Sequence, residues 1–139
     1  MTPLLLRLAR LQEAGEDDVE EDPVAQAYLQ TIGTERSKDV RKAVLGSLVV
    51  ADATLPQLVH RTRDVHAEVR RVAFMVLMKK TDMAHLSIAQ RALVLRRGLL
   101  DRDPKTRQAA VDLLQDWLKG NLIDCFYQIP SGIHFLMIN

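Results

Sequence analysis

The chain has the length of a single domain, and its composition excludes several classes of protein. It has 139 residues, of which 47% are hydrophobic and 4% aromatic, and its only cysteine excludes an internal disulfide framework. No stretch approaches the roughly 18 consecutive apolar residues of a membrane-spanning helix. The net charge is +1, but residues 1–39 carry −5 and residues 40–119 carry +7. The basic block hints at an acidic partner, although ordinary solvated helix faces would explain it equally well.

The chain begins with two predicted helices that are separated by an acidic loop. Residues 2–14 have helical periodicity, whereas residues 15–22 form an acidic run without an apolar face and predict an exposed loop. Asp22 as N-cap and Pro23 at the first helical position open the second helix, which Gly33 is expected to end. The inward-facing residues of this helix are predicted to be Val24, Ala27, Tyr28 and Ile32.

A unit of short helix, loop and longer helix is predicted three times, over residues 23–50, 54–80 and 87–119. In the third unit, Ser87 and Gln90 have the spacing of a capping box. The short helix of the second unit is expected to bury Leu55, Leu58 and Val59. The short helix of the third unit is expected to bury Ile88, Ala92, Leu95 and Leu99.

A repeated pattern relates the longer helices of the three units. Their predicted buried stripes are Val40, Ala43, Val44, Ser47 and Leu48; Val69, Val72, Ala73, Val76 and Leu77; and Thr106, Ala109, Ala110, Leu113, Leu114, Trp117 and Leu118. An arginine directly follows the first position of each stripe, and an acid lies six residues before that arginine. The stripes begin 29 and 37 residues apart, which is typical of a helical-repeat solenoid.

The acid and the arginine of each copy predict a structural ladder. A cation in the first turn of a helix is electrostatically unfavourable unless a carboxylate neutralises it. We therefore expect the loop carboxylates to pair with the arginines, within one repeat or from the next, along the stack. The alternative is that these residues are solvated surface charges. The residues of the predicted ladder are Glu35, Arg41, Asp64, Arg70, Asp101 and Arg107.

The predicted fold class is therefore all-α, a solenoid fragment of about three helical hairpins with one preceding helix. The solenoid segment is expected to cover residues 1–120. Residues 121–139 lose the helical period after about residue 124 and predict a divergent tail that is a candidate for disorder. About three stacked repeats are the minimum for a stable solenoid.

The sequence does not contain a recognisable catalytic or cofactor-binding constellation. Its four histidines do not form a cluster with metal-ligand spacing, and a glycine-rich phosphate loop is absent. We therefore predict a non-catalytic protein without a cofactor, a metal site or a small-molecule substrate. Trp117 extends an apolar stripe and is expected to pack in the core.

The basic residues are the positive functional signal. Aromatic residues do not alternate with these cations, which argues against stacking of single-stranded bases and favours phosphate contacts to duplex DNA without base reading. Arg70 and Arg107 are assigned to the ladder instead. The candidate DNA-binding residues are Arg61, Arg63, Lys79, Lys80, Arg91, Arg96 and Arg97. An acidic peptide would suit the same surface.

Longer stretches carry a resemblance to a known family. An acid in the loop followed by valine and arginine where the longer helix opens, with Thr106 in place of valine in the third copy, resembles the D…VR-type motif of HEAT repeats. The stretches Thr54-Leu55-Pro56, Arg61-Thr62-Arg63-Asp64-Val65 and Ser87-Ile88-Ala89-Gln90-Arg91 resemble the N-terminal HEAT solenoid of condensin subunit 3, the CAP-G type. This resemblance covers about residues 4–123, which is a slice of a much longer solenoid.

The resemblance implies a non-SMC scaffold subunit of condensin. In that family a kleisin chain of the CAP-H type recruits the HEAT subunit and links it to the SMC ATPases. The two chains hold duplex DNA in a positively charged groove during mitotic chromosome condensation. The implied location is the nucleus and mitotic chromosomes, with a cytoplasmic pool. The alternative function is a HEAT adaptor that binds only protein, of the phosphatase-scaffold or transport-receptor type.

Overall fold

The computed structural model describes residues 22–128, with side chains described as far as residue 120. This part of the chain contains six α-helices and one 3₁₀ turn (Met83–His85). The helices are α1 (Pro23–Thr34), α2 (Lys38–Ser47), α3 (Leu55–Arg61), α4 (Ala67–Lys80), α5 (Ile88–Leu99) and α6 (Pro104–Gln128). They form three successive hairpins, α1–α2, α3–α4 and α5–α6, which confirms the predicted all-α solenoid of helical hairpins.

Several predictions about the ends of the chain lie outside the described residues. These are the helix over residues 2–14, most of the acidic loop, and residues 129–139. The third longer helix was expected to end near Lys119, but α6 continues to Gln128. The division into a solenoid segment and a tail at residue 120 stays a prediction.

Local capping determines where the helices begin. The Asp22 carboxylate accepts a hydrogen bond of 2.6 Å from the Val24 backbone N–H. Ser87 and Gln90 form the predicted capping box, in which the Ser87 N–H donates to Gln90 Oε1 at 2.8 Å and the Gln90 N–H donates to Ser87 Oγ at 3.2 Å. The expectation that Gly33 ends α1 is wrong, because α1 includes Gly33 and continues to Thr34.

The core lies around α4, which packs between α2 and α6. Val69, Ala73, Phe74 and Leu77 of α4 are completely buried, and Val76 is 6% exposed. The predicted stripe of α4 is therefore confirmed, with Val72 half-buried at its edge. The predicted inward residues of α3, namely Leu55, Leu58 and Val59, are also buried.

The predicted buried face of α5 is wrong at three of its four positions, while the fourth, Leu95, is half-buried and packs against the core. Ile88 is 80% exposed, Leu99 is 38% exposed and Ala92 is exposed, whereas Val94 and Gly98 are buried. The reason is close packing at Gly98, where an added Cβ would lie 2.8 Å from the ring carbons of Phe74 and would overlap the Cβ of Ala110. The helix approaches its neighbours through its smallest residue, which turns the larger apolar residues outwards.

The predicted faces of the first hairpin are confirmed in part. In α2, Val44 and Leu48 are buried as predicted and Ser47 is half-buried, whereas Val40 is 41% exposed, Ala43 is exposed and Leu45, which was not predicted, is completely buried. In α1, Ile32 is completely buried as predicted and Val24 and Tyr28 are half-buried, whereas Ala27 is exposed and Ala25 is buried in its place. The stripe of α6 is confirmed at five positions, Thr106, Ala109, Ala110, Leu113 and Trp117, while Leu114 is half-buried and Leu118 is 54% exposed.

Candidate interfaces: an arginine ladder and two basic clusters

Each ladder arginine first holds the loop of its own hairpin. Its Nη1 donates to the backbone carbonyl oxygens of the residues six and five positions earlier, so that the guanidinium satisfies carbonyls in the loop before its helix. The distances are 2.9 and 2.9 Å from Arg41 to Glu35 and Arg36, 2.8 and 3.2 Å from Arg70 to Asp64 and Val65, and 2.7 and 3.2 Å from Arg107 to Asp101 and Arg102.

The other edge of the guanidinium pairs with the acid of the following hairpin. Arg41 donates from Nε and Nη2 to the two carboxylate oxygens of Asp64 at 2.9 and 2.8 Å. Arg70 makes the same bidentate contact with Asp101 at 2.6 and 2.9 Å. All four residues are at most 9% exposed, so they are not solvated surface charges. Paired geometry of this kind suits a buried arginine, since its planar fork matches both oxygens of a carboxylate.

Each acid also closes the turn before its helix. Asp64 Oδ1 accepts a hydrogen bond from the His66 N–H at 2.9 Å, and Asp101 Oδ1 accepts one from the Asp103 N–H at 2.9 Å. Burial alone would raise the pKa of Asp64, but hydrogen bonds from Arg41, the His66 N–H and Arg61 hold the pKa below its ordinary value. The pKa of Asp101 is lowered in the same way, because hydrogen bonds from Arg70 and the Asp103 N–H outweigh burial.

The structure therefore brings four of the six predicted ladder residues into two rungs. Glu35 and Arg107 are the ends of the ladder. The Glu35 carboxylate accepts from the Ser37 N–H at 2.7 Å, as Asp64 does from His66, but no arginine side chain within residues 22–120 contacts it. The Arg107 guanidinium contacts two carbonyls of its own loop and no carboxylate in that same range.

An exposed bridge between α2 and α4 was not predicted. Glu68 accepts from Lys38 at 2.8 Å and from Lys42 at 2.7 Å. These two hydrogen bonds lower the pKa of Glu68 to about 2. Lys38 and Lys42 are one helical turn apart, so both ammonium groups lie on one face of α2. This spacing is the sequence feature from which the bridge could have been predicted. Because Glu68 is solvent-accessible, the bridge contributes little to stability.

Four candidate DNA-binding residues lie together at the ends of α3 and α5, namely Arg61, Arg63, Arg96 and Arg97. Arg97 Nη1 donates to the Val59 carbonyl at 3.1 Å and to Thr62 Oγ1 at 3.2 Å. Thr62 directly precedes Arg63 in the chain, so this contact brings the two cations near each other. Burial, and then the charge of Arg63, lower the pKa of Arg97. We call these four residues the loop-edge cluster.

The other three candidates, Lys79, Lys80 and Arg91, lie at the opposite edge, where α4 ends and α5 begins. Lys80 Nζ donates to the carbonyls of Gly46 and Leu48 at 3.0 and 2.9 Å and so caps α2, and burial lowers the pKa of Lys80. A 14-residue helix such as α4 is about 21 Å long. The seven candidates therefore form two groups at opposite edges of the described hairpins.

The candidates also differ in how free they are to meet a ligand. Arg61 forms an ion pair of 3.1 Å with Asp64, and Arg91 Nε donates to the Leu86 carbonyl at 2.9 Å. Arg63, Lys79 and Arg96 are exposed and make no side-chain hydrogen bond or ion pair within the described part of the chain. These three side chains are the ones that can contact a phosphate without losing a contact within the protein.

Within residues 22–120, no group of three or more His, Cys, Asp or Glu side chains is placed to hold a metal ion. Among the described helices, none combines the length and the apolar character needed to cross a membrane.

Comparison with known proteins gives consistent matches to one family. No protein-family model matches the chain. The chain is 40% identical to human condensin complex subunit 3 over 129 residues, which is 90% of this chain and 12% of that protein. It is 35% identical to the Xenopus laevis protein, with the same coverage, and 38% identical to the Schizosaccharomyces pombe protein over 118 residues, which is 84% of this chain and 13% of that protein.

A solved structure gives the same result. The chain matches a chain in the crystal structure of the S. pombe condensin Cnd3–Cnd2 subcomplex with a TM-score of 0.73 and 37% identity, over 84% of this chain and 16% of that one. The chain thus spans about one eighth of the length of the curated relatives it matches. By sequence and by fold, the chain is similar to one segment of the condensin complex subunit 3 proteins.

Proposed function

We propose that this chain acts as part of a non-catalytic scaffold subunit of condensin, which binds a kleisin-type chain and duplex DNA in mitotic chromosome condensation. The observation that carries the proposal is the match, in fold and sequence together, to a chain of the condensin Cnd3–Cnd2 subcomplex. The proposed location is the nucleus and mitotic chromosomes, with a cytoplasmic pool.

The ladder supports the scaffold role. Two buried bidentate pairs, Arg41–Asp64 and Arg70–Asp101, connect successive hairpins. Such pairs require both carboxylate oxygens to be aligned with the Nε and Nη2 donors on one edge of the guanidinium, so they specify how one hairpin sits on the next. A surface that spans several hairpins is then held in one shape, which is what a binding scaffold needs. The kleisin-type partner would connect this surface to the SMC ATPases.

The loop-edge cluster supports the DNA-binding role. Arg63 and Arg96 lie at equivalent ends of α3 and α5 in neighbouring hairpins, and both are exposed. Arg97 is anchored beside Arg63 by its contacts with α3. Cations that follow the stack along one edge suit the phosphates of a duplex, and such contacts hold DNA without reading its sequence.

The test is a titration of a fluorescent duplex of about 30 base pairs at several salt concentrations, with two unrelated sequences. We expect equal binding of both sequences, with an affinity that falls steeply as salt increases. The double variant R63A/R96A should weaken binding and reduce the salt slope by about two, since each lost phosphate contact reduces it by about 0.9. Lys119→Ala removes one exposed charge from α6 and is the control for a nonspecific effect of charge.

A folded chain that does not bind either duplex at low salt would contradict the DNA-binding part of the proposal. The kleisin part is tested separately, by size-exclusion chromatography of this chain with the kleisin subunit that corresponds to Cnd2. Co-elution is expected, and separate elution at micromolar concentrations would contradict it.

A protein-only HEAT adaptor is the second candidate, and one observation favours it. Four of the seven basic candidates, Arg61, Lys80, Arg91 and Arg97, already contact groups within the protein. The free basic surface is therefore smaller than the sequence predicts. Kleisin binding without any salt-dependent DNA binding would favour this function.

A further inference from the structure

The outer side of α5 presents an apolar surface to solvent. The close approach of Gly98 to Phe74 and Ala110 fixes the rotation of this helix and turns its larger aliphatic side chains away from the core. Eight large hydrophobic residues are exposed in the described part of the chain, and four of them lie within residues 88–100. We call these four residues the α5 outer face: Ile88 (80% exposed), Leu93 (39%), Leu99 (38%) and Leu100 (76%).

The α5 outer face meets solvent because of its place within the hairpin. The buried positions of α3 and α5 align at an offset of 36 residues, Leu58 with Val94 and Thr62 with Gly98. By the same offset, Arg63 in the second hairpin takes the position of Leu99, and it is also exposed. The second hairpin has a described hairpin on each side. The outer side of a short helix therefore faces solvent even in the middle of the stack.

The apolar surface continues across a rung of the ladder onto the second hairpin. Arg70 donates to the Val65 carbonyl at 3.2 Å and pairs with Asp101, which directly follows Leu100. The Arg70 guanidinium thus holds the backbone beside both aliphatic residues, and Val65 and Leu100 are each 76% exposed. Neighbouring exposed apolar side chains of this kind mark interaction sites in soluble proteins.

The charge on this surface is positive and is not neutralised. Residues 83–100 contain three arginines and neither Asp nor Glu. Arg96 lies three residues after Leu93 and three before Leu99, so it is on the same side of α5. Arg63 and Arg96 are exposed, and the loop acid Asp101 is buried against Arg70. A ligand of this surface must therefore combine apolar area with negative charge.

We propose that the α5 outer face, together with Val65, binds an acidic amphipathic helix of a protein partner. The apolar side of that helix covers the aliphatic residues, and its carboxylates pair with Arg63 and Arg96. The stretch from Ile88 to Leu100 is about 18 Å long, which matches about three turns of a helix laid along it, a common mode of peptide recognition. This partner is additional to the duplex and the kleisin-type chain of the proposed function.

Charge complementarity favours this occupant over a nucleic acid or a membrane. The phosphates of a duplex would pair with the two arginines, but they would leave Leu93 and Leu100 against a charged, hydrated backbone. Helices that lie in a bilayer surface keep their cations on the polar face, whereas Arg96 lies within the apolar face of α5. An acidic amphipathic helix satisfies the aliphatic residues and the arginines together.

The probe is a fluorescein-labelled peptide of about 18 residues, with leucine at helical spacing and glutamate and alanine elsewhere. Fluorescence anisotropy with the full chain should show binding that weakens as salt is added. A peptide with lysine in place of glutamate should not bind. The double variant Leu93→Gln/Leu100→Gln should weaken binding of the acidic peptide at least about tenfold, because apolar burial is lost. Arg96→Glu should also weaken binding and reduce its dependence on salt.

Val40→Gln and Lys79→Glu are the matched controls, since they make the same kinds of change at exposed positions away from the α5 outer face. Both should leave peptide binding unchanged. Far-UV circular dichroism confirms that each variant is folded. The double variant should keep its duplex affinity and its co-elution with the kleisin subunit, so this proposal and the proposed function can fail separately.

Three results would overturn the proposal. The first is a folded chain that does not bind the acidic peptide at low salt, or that binds the lysine peptide equally well. The second is a double variant that loses duplex or kleisin binding together with peptide binding, which would assign the surface to those ligands. The third is binding to anionic lipid vesicles, abolished in the double variant, without any binding of the acidic peptide.

Discussion

The rung between Arg70 and Asp101 gives the sharpest test of how the hairpins are held together. Both side chains are buried and are joined by two hydrogen bonds of 2.6 and 2.9 Å. Removal of one partner leaves an unpaired buried charge, which typically costs about 3–5 kcal/mol. We expect each of Arg70→Met and Asp101→Asn to approach this cost. The double variant should lose less than the sum of the two, with a coupling of about 1–3 kcal/mol.

The measurement is urea unfolding of the wild type, both single variants and the double variant, followed by far-UV circular dichroism. The control cycle combines Arg41→Met with Asp101→Asn. Arg41 pairs with Asp64 in the first rung and Asp101 pairs with Arg70 in the second, so the two residues of the control pair do not pair with each other. The control pair should therefore be additive within about 0.5 kcal/mol. Additive effects for Arg70 and Asp101, or an equally strong coupling for the control pair, would refute the assignment of rungs between hairpins.

Three further predictions concern stability. The folded-state pKa of Asp101 lies below its ordinary value, so its contribution to stability is present at neutral pH and is lost as the pH falls below about 4. The free energy of unfolding should therefore depend less on pH in Asp101→Asn than in the wild type. An unchanged pH profile would contradict this prediction. Gly98→Ala should lower the free energy of unfolding by about 1–3 kcal/mol, because the added Cβ overpacks against Phe74. The control is Gly46→Ala, where the added Cβ meets open space. This variant should leave the free energy of unfolding unchanged or raise it by up to about 1 kcal/mol in the same urea assay. Val69→Ala should lower the free energy of unfolding by about 1–3 kcal/mol, and the exposed Val40→Ala should lower it by less than about 0.5 kcal/mol. Equal losses would mean that Val40 in α2 is as well covered as Val69 in α4.

The sequence predicted almost the whole buried face of α4 but only part of those of α2 and α5, and the difference has a physical cause. Helical periodicity identifies residues that can be buried by a neighbour, but it does not say whether that neighbour is present. Helix α4 has neighbours on both sides, so its stripe is buried as predicted. Val40 belongs to the same pattern and is exposed because, within residues 22–120, α2 has a following hairpin but not a preceding one. Position in the stack, which one sequence does not reveal, determined the outcome.

The packing of α5 was missed for a different reason. Gly98 marks its closest approach to α4 and α6, and a glycine contributes nothing to a hydrophobic period. The larger residues Ile88 and Leu99 carried the signal and turned out to be exposed. Where two helices approach most closely, the smallest residue defines the buried face, so a pattern built on large apolar residues indicates the wrong side.

The fixed offset of six residues identified the ladder residues, but it left the choice of partner open. The geometry shows why the acid of the same hairpin is not the side-chain partner. Arg70 reaches back along its own loop and uses Nη1 on the carbonyls of Asp64 and Val65. Its Nε and Nη2 edge then faces the next hairpin, where Asp101 presents two oxygens. The offset of six residues therefore reflects the contact between the arginine and the carbonyls of its own loop. The rung between hairpins forms because Nε and Nη2 remain free to pair with the next acid.

The same distinction changes how the basic block should be interpreted. Residues 40–119 carry a net charge of +7, and this excess suggested a DNA-binding surface. Much of it is used inside the protein, since Arg41 and Arg70 hold hairpins together and Lys80 caps α2. Counts of cations in a helical solenoid therefore overestimate the surface available to phosphate. Exposed residues without internal contacts, such as Arg63 and Arg96, are where a loss of DNA binding should be sought first.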